Sequence, residues 1–77
     1  MEINLLAFGQ IAESTGKSAW KMDGIKDTNI LIKKLEEQFP ALVKMKYSIA
    51  VNKKVIQENT ILNDNDTIAL LPPFSGG

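Results

Sequence analysis

Asp27-Thr28-Asn29-Ile30-Leu31-Ile32-Lys33-Lys34-Leu35-Glu36-Glu37-Gln38-Phe39-Pro40 decides the fold, because it is the one stretch of the chain that reads as a good helix. Leu31, Leu35 and Phe39 recur at spacings of four and therefore share one helical face. Asp27 or Thr28 can cap the first turn by accepting a backbone N–H bond. Pro40 stops the helix, since proline disfavours helical geometry at the residue before it and cannot donate the next backbone bond. The helix so bounded runs for roughly three turns.

The segments on either side read as strands. Ile3-Asn4-Leu5-Leu6-Ala7-Phe8 is a short apolar run with a period-2 component, bounded by Gly9. Gln10 to Gly16 reads as a loop, because Glu13-Ser14-Thr15-Gly16 is turn-forming. Ser18 to Met22, centred on Trp20, forms the returning strand. Beyond the helix, Tyr47-Ser48-Ile49-Ala50-Val51 alternates again, and Asn52-Lys53-Lys54 turns into a brief Val55-Ile56 strand. Asn63-Asp64-Asn65-Asp66 is another turn, with Asn65 in the left-handed conformation, and Thr67 to Leu71 is the final strand. This order predicts an α+β fold of β-grasp type, a mixed sheet with one main helix across one face, and residues 1–77 as a single domain. An α+β sandwich of another topology would fit the same order.

Composition narrows the function. A chain of 77 residues can bury only roughly 60% of its unfolded surface, so one core serves everything. Nine basic residues balance nine acidic ones, which leaves no field to recruit nucleic acid or anionic lipid. The pairs Lys33-Lys34 and Lys53-Lys54 read as solvated charges, as do Glu13, Glu36, Glu37 and Glu58. Trp20 and Tyr47 read as half-buried strand residues. There is no Cys and no His, which excludes thiol nucleophiles, triads and thiolate metal sites, and no metal ligand set is expected. The chain is therefore not expected to be an enzyme on its own. No signal peptide or membrane span is read at the start, so the cytoplasm is the default location.

The ending carries the chemistry. Pro72-Pro73 must end the last strand, because neither residue can donate to a ladder and both favour an extended, stiff conformation. Residues 72–77, Pro72-Pro73-Phe74-Ser75-Gly76-Gly77, form an arm that could reach about 20 Å if fully extended. Two terminal glycines would arise by chance ~0.5% of the time at ordinary glycine usage, so chance is a weak explanation. Without side chains, Gly76 and Gly77 can thread a narrow tunnel and present the Gly77 carboxylate deep within a partner. A carboxylate is a poor electrophile and needs activation, for instance as an acyl adenylate, which implies an activating enzyme.

Leu6-Ala7-Phe8-Gly9-Gln10-Ile11-Ala12-Glu13 followed by Gly16, Val51-Asn52 with Leu62-Asn63-Asp64-Asn65-Asp66, and the ending Leu71-Pro72-Pro73-Phe74-Ser75-Gly76-Gly77 resemble the molybdopterin synthase small subunits, of the ubiquitin-like sulfur-carrier family. The resemblance spans nearly the whole chain and is most specific in the last fifteen residues. It implies a β-grasp. It also implies that Gly77 is adenylated by a ubiquitin-activating-like adenylyltransferase, becomes a thiocarboxylate, and donates sulfur to cyclic pyranopterin monophosphate inside the large subunit. ATP would be consumed by the activating enzyme, and no cofactor would be held permanently. Three positions depart from the family pattern: Asn65 stands for the usual turn glycine, Phe74 for a smaller aliphatic residue, and the first loop lacks the arginine often found before its glutamate.

Strand parity then predicts a docking face. Ile3, Leu5 and Ala7 lie on one side of the first strand and Leu6 and Phe8 on the other, while Ile68 and Leu70 oppose Ala69 and Leu71. The resemblance puts the helix over Ile3, Leu5, Ile49, Val51, Ile68 and Leu70. In a β-grasp the first and last strands are neighbours, so Leu6, Phe8 and Leu71, with Val55 at the margin, form an uncovered apolar group suited to a partner. The rival readings are a thiamine-pathway sulfur carrier, a ubiquitin-like modifier that joins Gly77 to a protein lysine, and an interaction module with an inert tail.

Overall fold

A computed structural model of the chain describes residues 2–73. Five strands, β1 (Glu2–Ala7), β2 (Ala19–Asp23), β3 (Ser48–Val51), β4 (Lys54–Ile56) and β5 (Thr67–Leu71), form one sheet in the order β2-β1-β5-β3-β4. The central pair β1 and β5 is parallel and every other pair is antiparallel. The β1–β2 and β3–β4 pairs thus flank β5, which lies between β1 and β3, and the main helix, α2 (Thr28–Gln38), connects β2 to the β3–β4 pair. This is the β-grasp.

The helix forms as its sequence dictates. Asp27 is extended and its Oδ1 accepts from the Ile30 N–H at 2.9 Å, while α2 ends two residues before Pro40. Leu31 and Leu35 are fully buried, and Phe39 packs edge-on against Trp20 with ring centroids 6.0 Å apart. Against this stripe the sheet presents Ile3, Leu5, Ile68 and Leu70, each fully buried. Ile49 is buried and Val51 half-buried beside them, so all six residues expected beneath the helix lie there. The loop before β5 is tied to the start of α2: Thr28 Oγ1 accepts from the Thr60 N–H and Asn59 Oδ1 from the Asn29 N–H, both at 2.9 Å.

Strand boundaries agree with the sequence reading to within a residue or so, and β5 coincides with it. The turn chemistry also agrees. Asn52 and Lys53 both have positive φ, 49° and 75°, as a two-residue hairpin turn between twisted strands requires, and Asn65 has φ 68°.

Two elements differ. The segment Gln10 to Gly16, read as a loop, is mostly helix, α1 (Gly9–Thr15). Ile11 and Thr15 are four apart and both buried, which gives the segment a one-stripe helical face. Gly16, read as part of a turn, is the left-handed residue that ends the helix, its N–H donating to the Ala12 carbonyl at 2.9 Å. Pro40, besides stopping α2, opens a 3-10 turn at Pro40–Lys44 that buries Leu42.

Candidate functional site

The register lines up the uncovered face of the sheet residue by residue. Leu6 sits opposite Ala19 on β2 and Ala69 on β5, Ala69 opposite Ala50 on β3, and Ala50 opposite Val55 on β4. One row therefore crosses all five strands as Ala19, Leu6, Ala69, Ala50 and Val55, and no helix covers it. Phe8 follows β1 directly and its N–H donates to the Leu70 carbonyl at 3.2 Å, which holds it beside Leu71. Leu6, Phe8, Val55 and Leu71, the residues picked out by parity, thus share one face.

This face is hollow because of side-chain size. Ala50 and Ala69 form a low floor, while Leu6, Phe8, Leu71 and Val55 stand around it and enclose a depression of about 520 Å³. Phe8 is 46% exposed and Val55 54%, large values for such side chains in a folded domain. Asn52, Lys53 and Thr67 line the polar end. Parity already puts Ala69 on this face beside Leu71, whereas Ala50 and Lys53 escaped the sequence reading. The same parity, applied between Ile49 and Val51, could have found Ala50, whereas Lys53 enters only through the geometry of its turn.

The polar end is stiffened by one carboxylate. Asp66 Oδ1 accepts from Asn52 Nδ2 at 2.9 Å and its Oδ2 from the Asn63 N–H at 2.8 Å. Asn52 Oδ1 in turn accepts from the Thr67 N–H at 2.9 Å. The Asn63 N–H, and secondarily the Asn52 amide, hold the Asp66 carboxyl below its ordinary pKa, since both bonds favour the charged form.

The last described residues leave from the opposite end of the face, beside Phe8 and Leu71. β5 ends at Leu71, as the prolines require, leaving Pro72 half-buried and Pro73 exposed. Gly9 has φ +57°, and a Cβ built on it would stand 3.2 Å from Pro72 Cγ. The chain thus leaves the sheet over the start of α1, beside Phe8, where a methyl at residue 9 would press on the Pro72 ring by a few tenths of an ångström. Phe74, Ser75, Gly76 and Gly77, the rest of the expected arm, lie outside the described residues. Among the described residues no group of three His, Cys, Asp or Glu side chains could hold a metal ion, and no helix is long and apolar enough to cross a membrane.

Known proteins resemble the chain along its whole length. The sequence profile of the ThiS family matches residues 5–77. A curated molybdopterin synthase sulfur carrier subunit of Arabidopsis thaliana is 30% identical over 100% of this chain and 84% of its own length. The solved complex of subunits 1 and 2 of the molybdopterin-converting factor from Helicobacter pylori contains a chain that is 29% identical, with TM-score 0.74 and 100% coverage of both chains. The small archaeal modifier protein 1 of Methanosarcina acetivorans is 25% identical, with TM-score 0.82, covering 99% of this chain and 96% of its own.

Proposed function

The chain belongs to the ThiS family, and on that premise we propose that it is the sulfur-carrying small subunit of a molybdopterin synthase, docking through its uncovered sheet face and reacting through the Gly77 carboxylate. The observation that carries this reading is continuity. Phe8 and Leu71 wall the depression, and their chain neighbours Gly9 and Pro72 stand against each other, so a partner seated on the face also meets the root of the arm. The Arabidopsis relative and the two-subunit Helicobacter complex support the same reading.

The chemistry proceeds in two stages. On a ubiquitin-activating-like adenylyltransferase, a Gly77 carboxylate oxygen attacks the α-phosphorus of ATP, pyrophosphate leaves, and an acyl adenylate remains. A sulfide-level nucleophile then displaces AMP from the acyl carbon, leaving a thiocarboxylate. In the large subunit the arm enters a tunnel that only Gly76 and Gly77 are narrow enough to thread; the sulfur bonds to a side-chain carbon of cyclic pyranopterin monophosphate in place of an oxygen, and water cleaves the acyl C–S bond to return the Gly77 carboxylate. Pro72 and Pro73 act as a stiff spacer, with Phe74 and Ser75 reaching inward from it. The small subunit is a carried reagent and the partner supplies the catalytic groups.

Deletion of Gly76 and Gly77 tests this. Stability should change by no more than about 0.5 kcal/mol, since no apolar burial is lost, and docking should persist. Pterin dithiolene formation by the reconstituted complex should vanish; normal yield would contradict the carrier role. The Methanosarcina likeness favours one second reading, a modifier whose Gly77 forms an amide with a lysine of another protein. Amide-linked adducts after activation, in place of a thiocarboxylate, would select it.

A further inference from the structure

Three residues other than glycine hold positive φ among the described residues, and two of them have a local reason. Asn is the side chain that best tolerates this crowded conformation. Asn52 bonds with both side-chain atoms, to the Thr67 N–H and to Asp66, and the Asn65 N–H donates to the Glu2 carbonyl at 2.7 Å. Lys53, at φ 75°, has neither a favourable side chain nor a compensating bond. It occupies the second central position of the β3–β4 hairpin turn, where glycine fits without strain. Among the described residues its ammonium makes no ion pair, and both oxygens of Asp66 are already taken by Asn52 and Asn63.

What Lys53 does is line the depression, where it is the one charged residue among the nine that form the wall. Backbone strain without a local return points to a role outside the fold. We infer that Lys53 is a specificity contact of the docking face: its methylene stem extends the apolar wall beside Val55, and its ammonium pairs with a carboxylate that the partner protein carries at the rim of the apolar surface it seats over Ala50 and Ala69. This rests on the docking face proposed above and adds the partner's charge. A stem against apolar groups with its head at the rim is the usual disposition of an amphipathic lysine. A rim charge acts mainly on the association rate and its salt dependence.

The test uses the full chain and the large subunit, comparing wild type with Lys53→Gly, Lys53→Arg and Lys53→Glu. Lys53→Gly should raise Tm by several degrees, because the turn loses its strain. The same variant should bind about threefold to tenfold more weakly at low ionic strength, through slower association, with the gap closing near about 0.5 M salt. Lys53→Arg should bind like wild type, and Lys53→Glu should lose more than Lys53→Gly. Unchanged low-salt affinity of Lys53→Gly, a loss independent of salt, or a lowered Tm would overturn the inference while leaving the docking face intact. Failure of the wild-type chain to bind the large subunit at all would overturn the docking face, and this contact with it.

Discussion

The two faces of this sheet are built by the same five strands yet are finished differently. Under α2 the strands present isoleucine and leucine almost without interruption, and Ile3, Leu5, Ile68 and Leu70 are sealed from solvent. On the other side the matching positions are Leu6, Ala69 and Ala50, with Phe8, Leu71 and Val55 around them, and the result is a hollow rather than a core. The covered face holds the sealed core, and the open one is apolar although Phe8 and Val55 on it face solvent. A surface can therefore be hydrophobic and still be free to serve a partner, provided the other face alone supplies the burial that stability demands.

The strongest way to break this contrast is to cut into each face in turn. Leu5→Ala removes a fully buried side chain and should cost about 2–5 kcal/mol of stability, read from denaturant unfolding. Phe8→Ala should leave unfolding nearly unchanged and instead weaken binding to the large subunit by about 1.5 to 3 kcal/mol, read by calorimetry. Ala69→Leu sharpens the same point, since it fills the hollow: affinity should fall while the fold persists. If Phe8→Ala destabilised the chain as much as Leu5→Ala with affinity intact, the two faces would not differ in role.

A smaller effect is expected where the open face meets the arm. Any L side chain at residue 9 strains a backbone at φ +57°, so Gly9→Ala and Gly9→Val should both lose roughly 1–2 kcal/mol of stability. The larger side chain should push Pro72 much further than the methyl, which needs the ring to give by only a few tenths of an ångström. Gly9→Val should therefore slow sulfur transfer by about tenfold at unchanged docking affinity, with Gly9→Ala much milder. Loss of the nuclear Overhauser contact between residue 9 and the Pro72 ring would accompany the slowing. Equal transfer rates for both variants would show that the Pro72 contact does not aim the arm.

The smallest expected effect is a pH dependence. Asp66 has its folded-state pKa depressed below 3.8, first by the Asn63 N–H and then by Asn52. The unfolded chain thus takes up this proton at higher pH than the folded one. The stabilisation is present above the unfolded pKa and is lost as pH falls from about 4 through the folded value. Denaturation midpoints measured down that range should fall less steeply in Asp66→Ala than in wild type.

Much of this was legible in the sequence because local signals agreed with the global fold. The Leu31, Leu35 and Phe39 spacing, the Asp27 cap and Pro40 bounded the helix, and alternation in β1 and β5 sorted Leu6, Phe8 and Leu71 from Ile3, Leu5, Ile68 and Leu70. α1 escaped because its helical face is only Ile11 and Thr15, two residues set among polar ones, so turn-forming Glu13-Ser14-Thr15-Gly16 outweighed them. The hollow escaped for another reason. A concavity is a difference in side-chain size between residues on different strands; Ala50 and Val55 share one hairpin, but Ala69 and Leu6 come from opposite ends of the chain, so no short window contains the whole hollow.

The reactive role assigned to Gly77 has its most direct test in the intact mass of the protein after incubation with the activating enzyme, ATP and a sulfur source. The expected result is exchange of one oxygen for one sulfur, located in the C-terminal peptide, dependent on ATP and absent when Gly76 and Gly77 are deleted. An unchanged mass under conditions in which the same enzyme charges a known carrier would contradict it.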